Sequence, residues 1–295
     1  MLPVDVAITR FRRDLTIAAL VRISLLAAAM VCILAEPVFH QNWMYVLLLV
    51  GGIWVLLSYR SMQGTRIAAD SPSLIAAGEF DRAESHIDAS LRSFSLFRNA
   101  KILSLHHLAV LRHAQQRWRE SALLSQAVLS QKLGNMQGLA RNSLLLLADS
   151  MLQLGDLRGA FGAMTRLYRY RLGLGEALVL QLLQLDYGWR IGAWESMLQA
   201  VGGKVQMCEL MPRLNAARSQ ALLAAAAFKT NRIELAQWLR RRAELLAEPQ
   251  EIAPGQPTLE EIFRLRSTDS CWQFLSRFLP RPSDARRRTT STKPR

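Results

Sequence analysis

Signatures of chemistry are scarce in this sequence. There is no Gly-rich phosphate loop, because Gly202-Gly203-Lys204 lacks the rest of the pattern and no strand precedes it. No Gly-x-Ser-x-Gly elbow and no paired Cys-x-x-Cys units occur. The three cysteines, Cys32, Cys208 and Cys271, lie far apart. An odd, sparse set excludes a disulfide scaffold and fits a reducing compartment. His106, His107 and His113 form the one histidine cluster. His106 and His113 share a helix face, but two imidazoles with no further ligand in pattern do not make a metal site. Lysine is rare, so the net charge of +14 comes almost wholly from arginine. Codon usage in a GC-rich genome accounts for such an excess, and attraction to anionic lipid is its functional reading. The arginines are scattered rather than interleaved with aromatics, which argues against nucleic acid as a partner. No enzymatic activity, cofactor or metal is expected.

Half of the residues are hydrophobic, and their spacing is helical. The stretch from Leu144 to Leu167 sets the pattern. Leu144, Leu147, Ala148 and Met151 fall at i, i+3, i+4 and i+7, one apolar stripe of a helix. Gly155 then ends that helix, because it accepts the left-handed conformation a helix terminus often needs. Leu157 plugs the turn, and Ala160, Met164 and Leu167 restart the period. Ala148 and Ala160 are small where two antiparallel helices would touch.

The turn has the form Gly-x-apolar-x-x-small. It returns at Gly78-Glu79-Phe80, Gln116-Arg117-Trp118, Gly192-Ala193-Trp194 and Asn231-Arg232-Ile233. The plugs Phe80, Trp118, Leu157, Trp194 and Ile233 are 38, 39, 37 and 39 residues apart. A near-constant period of this size means repeated supersecondary units. The pattern resembles the tetratricopeptide repeat family, whose period is about 34 residues. The resemblance covers 71–248 and implies an all-α solenoid of about five helix pairs. A generic α-solenoid is the alternative.

Two apolar runs precede the repeats. Leu15 to Ala35 is apolar except for Thr16, Arg22 and Ser24, and twenty-one residues of helix span about 30 Å, the hydrocarbon core. Trp43 to Tyr59 is the second run, with Trp43, Tyr45 and Tyr59 placed like interfacial aromatics. We expect a transmembrane helical hairpin over 15–59, spanning at 15–35 and 43–59. A basic segment, 1–14, precedes it and a connector, 60–70, follows. Ser71-Pro72 reads as an N-cap followed by proline at the first helical position. Arginines flank both outer ends of the hairpin, whereas its loop has neither lysine nor arginine. The positive-inside rule then places both termini and the repeats in the cytoplasm, at a membrane of bacterial inner-membrane type. Val201-Gly202-Gly203-Lys204 should end the second helix of the Trp194 unit early. Beyond the repeats we expect a linker over 249–258, a capping or amphipathic helix over 259–279, and a basic disordered tail over 280–295.

In the tetratricopeptide family the first helix of each pair lines the concave, partner-binding face. Counting from each plug, the resemblance places Leu103, His106, Val110 and His113 on that face in the Trp118 unit. Asn142, Leu145, Asp149 and Leu152 follow in the next unit. Leu182, Asp186 and Trp189 come next, and then Arg218 and Phe228. This mixed surface suits an extended peptide or a helix. The layout implies a membrane-anchored scaffold that recruits protein partners and contacts lipid through its hairpin. It is also similar to the HemY-type accessory proteins linked to haem biosynthesis.

Overall fold

The computed structural model describes residues 3–34, 43–93, 95 and 97–252, and these are all-helical with no strand. The helices in chain order are α1 (Val4–Leu34), α2 (Trp43–Ala69), α3 (Ser71–Ala76), α4 (Phe80–Arg92), α5 (Arg98–Ala114), α6 (Trp118–Leu129) and α7 (Gln137–Gln153). There follow α8 (Leu157–Leu167), α9 (Leu174–Ile191), α10 (Trp194–Leu198), α11 (Val201–Glu209), α12 (Arg213–Lys229), α13 (Ile233–Leu246) and α14 (Pro249–Ile252). The chain divides into two compact units, residues 1–183 and 184–295.

Each of the five apolar plugs is the first residue of a second helix: Phe80, Trp118, Leu157, Trp194 and Ile233. The turn before each has one geometry. Two residues ahead of the plug, Gly78, Gln116, Gly155, Gly192 and Asn231 all carry positive φ, between 60° and 78°. In each turn the next residue's N–H reaches back five residues, as from Asp156 to the Met151 carbonyl at 2.9 Å and from Arg117 to Arg112 at 2.8 Å. The positive-φ residue bonds back three, as from Gly155 to Leu152. This pair of bonds is the Schellman motif, which satisfies carbonyls the helix end would otherwise leave bare. Gln116 adopts it without being glycine, so the turn geometry is imposed by the packing of plug and helices as well as by the local residue. In the best-formed hairpin Ala148 and Ala160 are fully buried, and Asp156 caps α8 by accepting from the Gly159 N–H at 2.8 Å. Serine pairs tie neighbouring helices, Ser90 to Ser104 at 2.7 Å and Ser150 to Ser121 at 3.1 Å.

The N-terminal part departs from the expected boundaries. Residues 4–14 are not a separate basic segment but the first turns of α1. Val4, Ala7 and Phe11 lie at i, i+3 and i+7 and are buried with Ala83, Ile87, Leu105 and Leu124 of the hairpin helices. Burial of Phe11 alone contributes on the order of 2 kcal/mol. The second half of α1 is the reverse: Leu20, Ile23, Leu26, Met30 and Val31 are each more than 60% exposed. Over Val4–Val31 this helix is long and apolar enough to cross a membrane, and among the described residues α2 carries an apolar stretch over Leu48–Met62. The connector over 60–70 is likewise helical as far as Ala69, because α2 continues through it; Ser61 is buried and pairs with Ser95 at 2.7 Å. Residue 70, not Ser71, takes the N-cap position of α3, so Pro72 is its second residue rather than its first, still within the first turn. α3 is only six residues long, and α1 and α2 supply the packing for α4 and α5 that a full first helix would give.

In the second unit the break after Trp194 comes earlier than expected. α10 stops at Leu198, Ala200 takes a left-handed φ of 50°, and Val201 to Lys204 opens a new helix. Lys204 causes no break: its Nζ donates to the carbonyls of Met197 at 2.8 Å and Ser196 at 3.2 Å, closing the end of α10. Part of the expected linker is also folded, since Pro249–Ile252 makes a helical turn whose Ile252 packs with Ala217, Ala221 and Ala243. The hairpin loop at 36–42, the expected helix over 259–279 and the tail over 280–295 lie outside the described residues.

Candidate functional site

The first helices of the hairpins carry the residues expected to face a partner. In the first unit, α5 and α7 lie side by side and exchange two polar contacts. His106 Nδ1 lies 2.9 Å from Ser143 Oγ, and His113 Nε2 lies 2.8 Å from Asp149 Oδ2. Burial, with His107 alongside, pushes the His106 pKa down to about 4, so its imidazole is neutral at neutral pH. The His113 ring also meets Trp118 edge-on at 4.8 Å, joining the expected face to the plug of its own turn. Asp149 accepts a second bond, from Gln153 Nε2 at 3.1 Å. Nearer the start of α7, Arg141 donates from Nε to Glu176 at 2.7 Å, linking α7 to the start of α9. Burial pushes the Glu176 carboxyl up, but the bonds from Arg141 and the Gly173 N–H outweigh it and leave its pKa below the usual carboxylate value.

Burial sorts the expected residues. Asn142 is exposed, and Val110, His113, Asp149 and Leu103 are half-buried. Leu145 is 8% exposed and Leu152 is fully buried. Both leucines therefore belong to the packing between helices and are not presented to a partner. The reason is periodicity: Leu145, Ala148 and Leu152 fall at i, i+3 and i+7, so they share a face that turns inward. His106 is also buried, and it braces α5 against α7. Leu182, the last of these in the first unit, is half-buried.

The second unit holds Asp186, Trp189, Arg218 and Phe228. Asp186 is buried and accepts from Arg218 Nη2 at 2.7 Å, tying α9 to α12. Trp189 packs edge-on against the plug Trp194 at 4.9 Å, as His113 does on Trp118. Phe228 is half-buried near the end of α12. Across both units, the expected positions lie on first helices, and polar pairs connect successive first helices. None of this assembles an acid, a base and a nucleophile around one point. Among the described residues no group of three or more His, Cys, Asp or Glu side chains could hold a metal ion.

Two buried cations escaped the sequence reading. Arg112 is fully buried and forms a fork with Glu84, Nη2 to Oε1 at 2.9 Å and Nη1 to Oε2 at 3.3 Å. Its Nη1 also donates to Gln115 Oε1 at 2.7 Å, and its Nε faces Glu120 at 3.2 Å. One guanidinium thus joins α4, α5 and α6. Lys101 is 2% exposed; its Nζ donates to the carbonyls of Leu91 at 2.6 Å and Ser93 at 2.5 Å, at the end of α4, and meets Asp14 of α1 at 3.1 Å. Burial lowers the Lys101 pKa, and Asp14 opposes that shift. A signal was available: Lys101, Leu105, Leu108 and Arg112 fall at i, i+4, i+7 and i+11, a stripe that reads as core and contains two charges.

A cleft of about 500 Å³ opens between the start of α1 and α4, lined by Val6, Arg10, Glu84 and Asp88 among others. Among its charges Asp88 pairs with Arg10 and Arg92, and Glu84 with Arg112. No protein-family model, curated protein or solved structure matches this chain.

Proposed function

We propose that this protein is a membrane-anchored scaffold. Its α1–α2 hairpin crosses the bilayer, and its tetratricopeptide-like helical pairs form a cytoplasmic domain that recruits protein or peptide partners. The observation that carries this reading is the division of α1. Its first turns are built into the core of the helical pairs, and the remainder, from Ile17 to the end of α1 at Leu34, presents apolar side chains outward over about 27 Å of helix, close to the thickness of a hydrocarbon core. A helix that is apolar all round and unburied fits lipid better than water. The partner surface rests on the exposed and half-buried groups of the first helices, chiefly Asn142, His113 and Asp149 in the first unit and Trp189 in the second. Apolar rings beside a few hydrogen-bonding groups suit a peptide or helix laid across them.

Alkaline carbonate should leave the protein in the membrane fraction. A protease added outside sealed spheroplasts should leave the helical domain intact. Release by carbonate, or cleavage from outside, would refute the anchor or its orientation. Pull-down from gentle detergent should return a defined partner whose recovery falls in Asp149→Ala and Trp189→Ala. An unchanged partner set in both would refute the surface. Co-purification of a tetrapyrrole or of haem-pathway enzymes would favour the accessory-subunit reading instead.

A further inference from the structure

The level at which the two anchor helices enter the first unit marks out a second surface. On α1, Asp14 is held by Lys101; Val6 is exposed before it, and the continuing run of exposed apolar side chains starts after it, at Ile17, about 4.5 Å of helical rise further on. On α2 the order reverses: the exposed apolar side chains run through Tyr59 to Met62, and on another face of the same turn Ser61 is already buried on Ser95. Both anchor points grip one segment, the link from the end of α4 to the start of α5. Lys101 bonds the Leu91 and Ser93 carbonyls there, and Ser95 Oγ accepts from the Phe97 N–H at 3.2 Å. The residues that make these contacts, Asp14 on α1 and Ser61 on α2, each lie within one helical turn of the edge of the apolar band. Phe97, in the link, is 41% exposed. Arginines surround the same level. The Arg13 and Arg92 side chains are 70% and 66% exposed, and Arg12 and Arg60 are exposed too. The acidic groups at this level are already engaged, Asp14 with Lys101 and Asp88 with Arg10 and Arg92.

We propose that Ser93, Ser95 and Phe97, between α4 and α5, rest in the headgroup layer of an anionic bilayer. Arg12, Arg13, Arg60 and Arg92 meet lipid phosphates, and the Phe97 ring enters the interface. This extends the anchored-scaffold reading, and it makes the first unit a membrane-facing body rather than a domain hanging from a tether. A guanidinium matches phosphate oxygens in a two-pronged geometry, and each basic group near such a surface adds to the attraction. An aromatic ring at the boundary is placed as interfacial aromatics are.

The test uses the full chain with Cys32, Cys208 and Cys271 changed to serine and one bimane label, either at Phe97→Cys or at Ile53→Cys. Each protein is reconstituted in phosphatidylcholine alone and in phosphatidylcholine with phosphatidylglycerol, doped with headgroup-labelled or acyl-chain-labelled quencher lipids. Position 97 should be blue-shifted and quenched by the headgroup label in the anionic liposomes. The combined Arg13→Gln, Arg60→Gln and Arg92→Gln changes should abolish most of that quenching. Ile53 should be quenched by the acyl-chain label throughout. Quenching at 53 without any at 97 overturns the proposal and spares the membrane hairpin. Equal quenching at 97 in both liposomes, unaffected by the arginine changes, overturns the phosphate contact. No quenching at 53 defeats the anchored-scaffold reading itself, and the proposal with it.

Discussion

Replacing Asp14 with asparagine asks whether α1 is a working part of the helical domain. The Lys101 ammonium is 2% exposed and has three main partners: Asp14 at 3.1 Å and the carbonyls of Leu91 and Ser93 at 2.6 and 2.5 Å. The carbonyls supply hydrogen bonds, but only the carboxylate balances the charge. Removing one member of a buried pair costs about 3–5 kcal/mol, and because the Asp14 side chain is 19% exposed, solvent recovers part of this. The expected loss is about 2–3 kcal/mol, or a fall in Tm of about 4–12 °C for a unit of this size. The pH dependence has a definite sign. Burial depresses the Lys101 pKa below its ordinary 10.5, so its charged form penalises the folded state. That penalty is absent above the unfolded pKa and grows as pH falls toward the depressed folded one. Asparagine no longer opposes the depression, so the variant's deficit is greatest at neutral pH and shrinks as pH rises toward 10.5. Near-UV circular dichroism melts of the detergent-purified chain would measure this, beside Lys101→Met and the double change Asp14→Leu/Lys101→Met. The double variant should melt above Asp14→Asn, because it leaves no bare charge. An Asp14→Asn variant that melts with the parent, or a double variant that melts below it, would refute the reasoning.

Three further outcomes are expected. Gln116→Gly should raise stability by about 1 kcal/mol in urea unfolding, and Asn231→Gly by less, since asparagine tolerates the left-handed region better than glutamine. A loss in Gln116→Gly would mean that its side chain holds the turn. His106→Gln should flatten the pH dependence of stability. With a folded pKa of about 4, the neutral imidazole contributes stability that is present above the unfolded value of 6.5 and lost as pH falls toward 4, about 3 kcal/mol in all. Acid melts of parent and variant that run parallel would contradict this. Leu152→Ala should cost about 2–5 kcal/mol and Asn142→Ala under about 0.5 kcal/mol, as denaturant midpoints would report, because the first is buried and the second exposed.

The repeated hairpins were legible because each plug does one job that a single residue can signal. An apolar side chain two places after the turn must go under the helix that follows, so Phe80 and Ile233 mark a helix start as clearly as Leu157. The positive φ at Gln116 was invisible, since nothing local favours it; the fold around Trp118 imposes it. The start of α1 was hidden by its arginines. Arg10, Arg12 and Arg13 read as a polar flank, although Val4, Ala7 and Phe11 between them form a helical stripe. Lys101 and Arg112 were overlooked for the opposite reason. They lie on one helical stripe with Leu105 and Leu108, and spacing alone does not say that a charge on such a stripe is buried and paired. The candidate surface was legible only as a choice of helices. Which residue of a first helix faces outward depends on how that helix rolls against its neighbours, and the spacing alone did not separate Asn142 from Leu145.

Because the first turns of α1 are buried in the same core as the helical pairs, a truncation has a predictable outcome. A chain that begins at Ser71 would lose Val4, Ala7 and Phe11 from the cluster around Ile87, Leu105 and Leu124. It would also lose the Asp14 carboxylate on Lys101 and the serine that meets Ser95. The uncovered surface is apolar and carries one unbalanced ammonium, so neither water nor a bilayer would suit it. Such a fragment should aggregate or melt far below the full chain in detergent. Appending Pro3 to Thr16 as a separate peptide should restore part of its stability, by the mass action of a ligand that binds only the folded form. If the truncated chain stayed monomeric with an unchanged melt, the first turns of α1 would be a passenger on the helical domain rather than part of its core, and a freely swinging tether would be the better account of how the domain is held.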